Sequence, residues 1–144
     1  MSKVEEAISY FKDKYNCAQS ILGPFCVQYG LDKNTALKLA TGFGGGMAGF
    51  GRTCGVVSGA YMVIGLKHGM GIKDDIKLKE KTYQLIQEFS RRFTDIHDSV
   101  ICRELLGCDI GTTEGKQFYS QNELFEKNCL QYVKNAVEIL EDIL

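Results

Sequence analysis

The sequence predicts an all-α protein, a single-domain multi-helix bundle with a glycine-rich loop leading into a central hydrophobic helix. Two observations carry this expectation. Apolar residues recur at spacings of three and four along almost the whole chain, with polar residues between them. No segment alternates with period two for long enough to make a strand. With one proline, Pro24, no linker composition and no internal repeat, residues 1–144 read as one domain.

The elements follow in order. Val4, Ala7, Ile8, Phe11 and Tyr15 form the apolar stripe of a first helix. Asn16, a good N-cap type, opens a second helix through Ile21, Leu22 and Phe25 to about Tyr29, which Gly23-Pro24 should kink or break. Leu31-Asp32 opens a short helix over Ala36, Leu37 and Ala40. Eight of the sixteen glycines then fall between Gly42 and Gly59, which argues for a loop, since each glycine in a helix costs roughly 1 kcal/mol relative to alanine. Cys54 leads a hydrophobic helix to about His68, ended by Gly69 and Gly71. A long amphipathic helix spans about Asp75 to Asp98, with Tyr83, Ile86, Phe89, Phe93 and Ile96 on its stripe. Ile101 to Leu106 is a short helix closed by Gly107, and the polar stretch from Asp109 to Gln121 carries no clear signal. The last helix, about Glu123 to Ile143, turns Phe125, Cys129, Val133, Ala136, Leu140 and Ile143 inward.

Composition removes several classes of function. An apolar fraction of 44% argues against disorder, because such a chain can bury a core. A net charge of −1 gives no electrostatic footprint for nucleic acid. The longest near-apolar run, Val56 to Leu66, falls short of the roughly 20 residues a bilayer span needs, so no membrane role is expected. The N-terminal segment has early acids and no continuous hydrophobic stretch, which predicts a cytoplasmic protein in a reducing pool.

Six cysteines, Cys17, Cys26, Cys54, Cys102, Cys108 and Cys129, are then not expected to form a permanent disulfide framework. Any one of them alone reads equally well as a small buried hydrophobe; six together read as more than packing. Cys17, Cys54 and Cys102 stand at expected helix N-termini, where unpaired amides and the helix dipole lower a thiol's pKa, and Arg52 and Arg103 lie nearby. Cys129 lies on the inward stripe of the last helix, where core packing is an equally good account. No pair is spaced C-x-x-C, which weakens a zinc ribbon and a thioredoxin-type motif. Bundles, however, build metal sites from residues on different helices.

The loop glycines Gly44, Gly45 and Gly46, with Gly55, would let backbone amides close around a bulky inorganic group and donate to its sulfurs. A tight loop between packed helices is the plainer alternative. A phosphate loop is disfavoured, because no Gly-Lys-Ser/Thr follows and no strand precedes. His68 reads as a helix C-terminal residue, and His97, between acids, reads as a solvated turn residue. No spacing suggests a Ser-His-Asp or paired-carboxylate site.

These residues resemble a known family, the C-GCAxxG-C-C family of redox-active proteins, common in anaerobic bacteria and archaea. The matching stretches are Tyr15-Asn16-Cys17-Ala18-Gln19, Gly42 to Met47, Cys54 to Ala60, Cys102 to Gly107, and Cys129 ahead of Val133 to Leu140. Val56 departs from the family's usual alanine and adds two methyl groups near the site. A similar domain occurs in split-Soret-type cytochromes, where it is associated with an iron–sulfur centre.

The resemblance implies that Cys17, Cys54, Cys102 and Cys129 are the ligands of an iron–sulfur cluster, most simply a 2Fe-2S type, in a protein of electron transfer or redox sensing. Cys26 and Cys108 fall outside the motif, although Cys108 is close enough to Cys102 to assist. A second reading is a thiol–disulfide protein in which Cys54 is the attacking, catalytic thiolate and another family cysteine resolves it. A third is a zinc- or iron-binding structural module, or an oligomerising helical unit. A redox partner protein and a homodimer are compatible with all three.

Overall fold

The computed structural model describes residues 1–144 as eight α-helices without a strand. They are α1 (Lys3–Lys12), α2 (Cys17–Cys26), α3 (Lys33–Ala40), α4 (Gly55–His68), α5 (Lys77–His97), α6 (Cys102–Leu106), α7 (Thr113–Gln121) and α8 (Leu130–Ile143). Short 3-10 turns follow α2 at Val27–Tyr29 and α3 at Thr41–Phe43. A π turn at Phe125–Cys129 leads into α8.

The middle of the bundle is α4, and its composition explains why. Val56, Val57, Ala60, Val63 and Ile64 are all buried, so the helix is apolar around most of its circumference. It packs against α2, α5 and α8, while α1 covers α2 and α8. Phe89 and Phe93 of α5, Ile21 and Leu22 of α2 and Leu140 of α8 fill the fully buried centre. Glycine sets the closest approach: a Cβ on Gly59 would lie 2.9 Å from the Ala18 carbonyl, which brings α4 tight against α2.

Helix starts follow the sequence. Asn16 caps α2 reciprocally with Gln19, and Ser2 does the same for α1 with Glu5. Asp32 accepts from the Thr35 amide at the head of α3. Gly107, at φ 69°, closes α6.

Four expectations are corrected. The first helix stops at Lys12; Lys14 turns left-handed at φ 70°, so Tyr15 lies outside it. Gly23-Pro24 does not break α2, which runs on to Cys26. Every residue from Ser20 to Cys26 is buried, and that packing outweighs the roughly 3 kcal/mol local cost of an internal proline. On α5 the stripe is buried only at Phe89 and Phe93, whereas Tyr83 and Ile96 are 57% and 54% exposed. The last expected helix is present but not uniform: left-handed Glu123, at φ 53°, precedes it, Leu124 begins it, and Phe125–Cys129 is a π turn before α8 proper. The stretch that carried no signal contains α7, started by Thr112, whose hydroxyl accepts from the Gly115 amide at 2.9 Å.

No helix is long and apolar enough to cross a membrane.

Candidate functional site

The glycine-rich loop is stitched to the segment before α6 by a short antiparallel pairing. Cys54 N–H donates to the Val100 carbonyl at 2.8 Å, Cys102 N–H to Arg52 at 2.6 Å, and Arg103 N–H to Gly51 at 3.1 Å. Thr53 and Ile101 form the bridge between them. This brings the starts of α4 and α6, and with them Cys54 and Cys102, to the same place. Gly46 makes the approach feasible: at φ 67°, with a Cβ that would sit 2.6 Å from Cys102 Cβ, no other residue fits.

Cys17 arrives from α2 by a similar device. A Cβ on Gly55 would lie 2.3 Å from Cys17 Sγ and 2.9 Å from the Phe43 carbonyl. Cys129 comes from the π turn, in which Leu130 N–H reaches back to the Phe125 carbonyl. Such turns add a residue to a helical cycle and re-aim side chains, and they are frequent at functional sites. The rings of Phe11 and Phe125 pack beside it, centroids 4.6 Å apart and tilted at 52°, which ties the turn to α1.

The four cysteines line one cavity of about 530 Å³. Gly45, Gly46, Gly49 and Gly55 supply backbone to its wall, and Phe11, Val56, Leu105, Leu106 and Ile110 make it largely apolar. Lys116, Tyr119 and Ser120 close one side from α7. Tyr119 donates its hydroxyl to Cys129 Sγ at 3.7 Å. Tyr132 donates instead to the Leu105 carbonyl at 2.8 Å, which anchors α8 to α6. All six cysteines are free thiols. No three His, Cys, Asp or Glu side chains are grouped so as to hold a single metal ion.

The electrostatics oppose the expectation of acidic thiols. Burial pushes Cys17 up, against the amides of Gly45, Ala18, Cys17 and Gly55, which favour its thiolate. Burial raises Cys54 well above the ordinary thiol value, reinforced by Cys17 and only partly offset by the Val56 amide. Cys102 is pushed up to about 12, first by burial and then by Cys17 and Cys129. Cys129 reaches about 11, with burial outweighing the Tyr119 hydrogen bond. Amides at the starts of α2 and α4 do reach Cys17 and Cys54, but loss of water around four neighbouring thiols is the larger effect.

One residue expected at the site, Gly44, falls outside it, and Cys26 and Cys108, set aside from the motif, lie outside it too. Gly44 is outside the cavity wall; a Cβ there would lie 2.5 Å from Asn16 Cβ, so its place is fixed by packing under the α2 cap. Cys26 is fully buried, and its thiol donates to the Gly23 carbonyl at 3.3 Å. Cys108 is partly buried and outside the wall, near enough to raise Cys102 and Cys129. His97 is not a solvated turn residue: its ring packs 4.7 Å from those of Phe93 and Tyr132, and its Nε2 pairs with Asn135 Oδ1 at 2.9 Å. His68 ends α4 as expected. Lys116, Tyr119 and Ser120 went unnoticed in the sequence, because α7 itself carried no periodic signal; Gly49 belongs to the glycine-rich loop but was not singled out for the wall.

Fold and site together define an all-α protein whose cysteines, drawn from four separate segments, share one largely apolar cavity. The chain belongs to the family described as "Putative redox-active protein (C_GCAxxG_C_C)", whose sequence profile it matches over residues 15–143. That span includes all four cavity cysteines and the glycine-rich loop. No curated protein and no solved structure matches the chain.

Proposed function

We propose that the protein is a small electron carrier that holds an iron–sulfur cluster, of the two-iron type, through Cys17, Cys54, Cys102 and Cys129. The observation that carries the reading is the convergence of these four thiols on one cavity of about 530 Å³. Such a cluster supplies a one-electron redox centre when bound.

The chain's own residues would do the rest. The four sulfurs bind as thiolates, so loading releases their protons, and the positive metal offsets the burial that otherwise keeps them neutral. The amides of Gly45 and Gly55, which have no backbone acceptor, are placed to donate to sulfur. Phe11, Leu105, Leu106 and Ile110 limit water at the site, which protects a cluster from hydrolysis and sets its potential.

A thiol–disulfide reaction led by Cys54 has less support. Cys54 is buried, 7% exposed, and burial raises its thiol well above the ordinary value, whereas attack needs an accessible thiolate.

The test is iron, zinc and acid-labile sulfide per chain on anaerobically purified protein, with its visible spectrum. Matching iron and sulfide are expected, with a visible band lost in Cys54→Ser and kept in Cys26→Ser. Colourless, metal-free protein after attempted reconstitution would overturn the reading. Equal loss of the band in Cys26→Ser would overturn the ligand assignment.

A further inference from the structure

We propose that Tyr119 is a positioning residue that fixes the Cys129 sulfur and raises the reduction potential of the centre the cysteines hold. This rests on the reading of the four cysteines as ligands. Tyr119 reaches the cavity from α7, and its hydroxyl is the side-chain donor on Cys129 Sγ, at 3.7 Å. The contact joins two elements with constrained positions. At one end of α7, a Cβ on Gly115 would sit 1.6 Å from the Asp109 carbonyl, so the first turn rests directly on that backbone. At the other, Asn122 returns both its amide and its side-chain NH₂ to the Phe118 carbonyl. Cys129, in turn, is aimed by the π turn that the Phe11–Phe125 contact supports.

The phenol is suited to donating. A phenol carries one O–H to give, and the contact its hydroxyl makes in the structure is Cys129 Sγ. A donor on a ligating thiolate withdraws negative charge from the sulfur. One-electron reduction adds a negative charge to the centre, and the donor stabilises that reduced form more than the oxidised one. The potential therefore rises, and the same bond restricts Cys129 to one side-chain conformation.

The test is Tyr119→Phe, which removes one oxygen and keeps the ring, with circular dichroism to establish that the variant is folded. In the loaded protein, the reduced-to-oxidised ratio at a fixed ambient potential should fall about tenfold, a shift of about 59 mV to lower potential for one electron. In the metal-free, reduced protein at pH 8, alkylation of Cys129 by iodoacetamide should slow several-fold while Cys17 is unaffected. Tyr119→Leu, which removes the hydroxyl by another route, should act in the same directions. An unchanged or higher potential, or an unchanged or faster Cys129 rate, would overturn the inference. If the wild-type chain takes up no iron and sulfide, the cluster reading fails by itself, and the alkylation rates still decide whether Tyr119 governs Cys129.

Discussion

Helix α2 begins with Cys17 and ends with Cys26, ten residues of one helix with the same side chain at each end. At the first end the thiol faces the cavity and has amides around it: Gly45 from the loop, Ala18 and its own from α2, and Gly55 from the start of α4. At the other end the thiol has no exposure and donates to the Gly23 carbonyl, and the amides beside it are those of its own helix end, Val27 and its own. An N–H environment suits a sulfur that carries negative charge, and a carbonyl suits one that keeps its proton. Burial raises both thiols, so a shifted pKa does not separate the binding cysteine from the packing one. What separates them is where the partners come from: amides of the loop and of α4 join those of α2 around Cys17, whereas Cys26 meets only its own helix end, including a carbonyl that accepts from its S–H.

The contrast is open to a steric break. Gly55→Ala would place a methyl 2.3 Å from Cys17 Sγ, with the Phe43 carbonyl and the Ala18 amide also inside contact distance. Two of these three atoms belong to backbone, so the strain cannot be relieved by a rotamer change. We expect a loss of stability of about 3 kcal/mol, at the upper end for overpacking, and loss of metal and visible absorption. Chemical denaturation with iron analysis would measure both. A variant as stable and as fully loaded as wild type would mean that the starts of α2 and α4 are not held as described.

Gly55 and Cys17 were both legible in the sequence, and the reason is local. A cap residue such as Asn16, a run of glycines and a cysteine at a helix start leave marks within a few positions. The expectation that these thiols would be acidic failed for a reason no local pattern contains. Desolvation depends on how many other groups the fold gathers around a sulfur, and four segments far apart in sequence meet here. The same limit hid Tyr119. Its helix α7 is polar on most sides and is held by Thr112 and by the Gly115–Asp109 contact, not by an apolar stripe. The π turn was also invisible: the periodicity of Phe125, Cys129 and Val133 fits an uninterrupted helix, and left-handed Glu123 is of a residue type that gives no warning of it. On α5 the stripe is real, but its pattern does not say where the neighbouring helices end, so Tyr83 and Ile96 are left in solvent.

Alkali sharpens the comparison with a smaller effect. Cys102 and Cys129 have folded-state values of about 12 and about 11 against an ordinary 9.0. In the metal-free, reduced protein their neutral thiols contribute stability that is fully present below pH 9 and lost as pH rises through those folded values. Cys17 and Cys54 act in the same direction. The thermal midpoint should therefore be level from pH 7 to 8.5 and fall steadily above 9. Removing one of the titrating groups, in Cys102→Ala, should make that fall shallower. A midpoint unchanged up to pH 11 would contradict the burial of these thiols. Once metal is bound the sulfurs are already thiolates, and the alkaline fall should largely disappear, which makes the metal-free and loaded proteins internal controls for one another.

The smallest effect is expected at the packing end of α2, where glycine also marks a close contact. A Cβ on Gly23 would meet the Tyr10 ring at 3.2 Å. That distance resembles the clash at Gly55 in kind but not in consequence. The obstacle is an aromatic side chain on α1, whose ring can shift by a few tenths of an ångström, and no backbone atom lies within the same range. Alanine also recovers about 1 kcal/mol of helix propensity inside α2. The two terms oppose one another, and Gly23→Ala should change stability by less than about 1 kcal/mol. Metal content should match wild type, because the displaced ring packs against Tyr15 and the far end of α2, away from the cavity wall. A fall in iron content with the fold intact would show that strain at Gly23 travels along α2 to Cys17. In that case the two ends of the helix would be one mechanical unit, and the separation between a packing cysteine and a binding one would have to be abandoned.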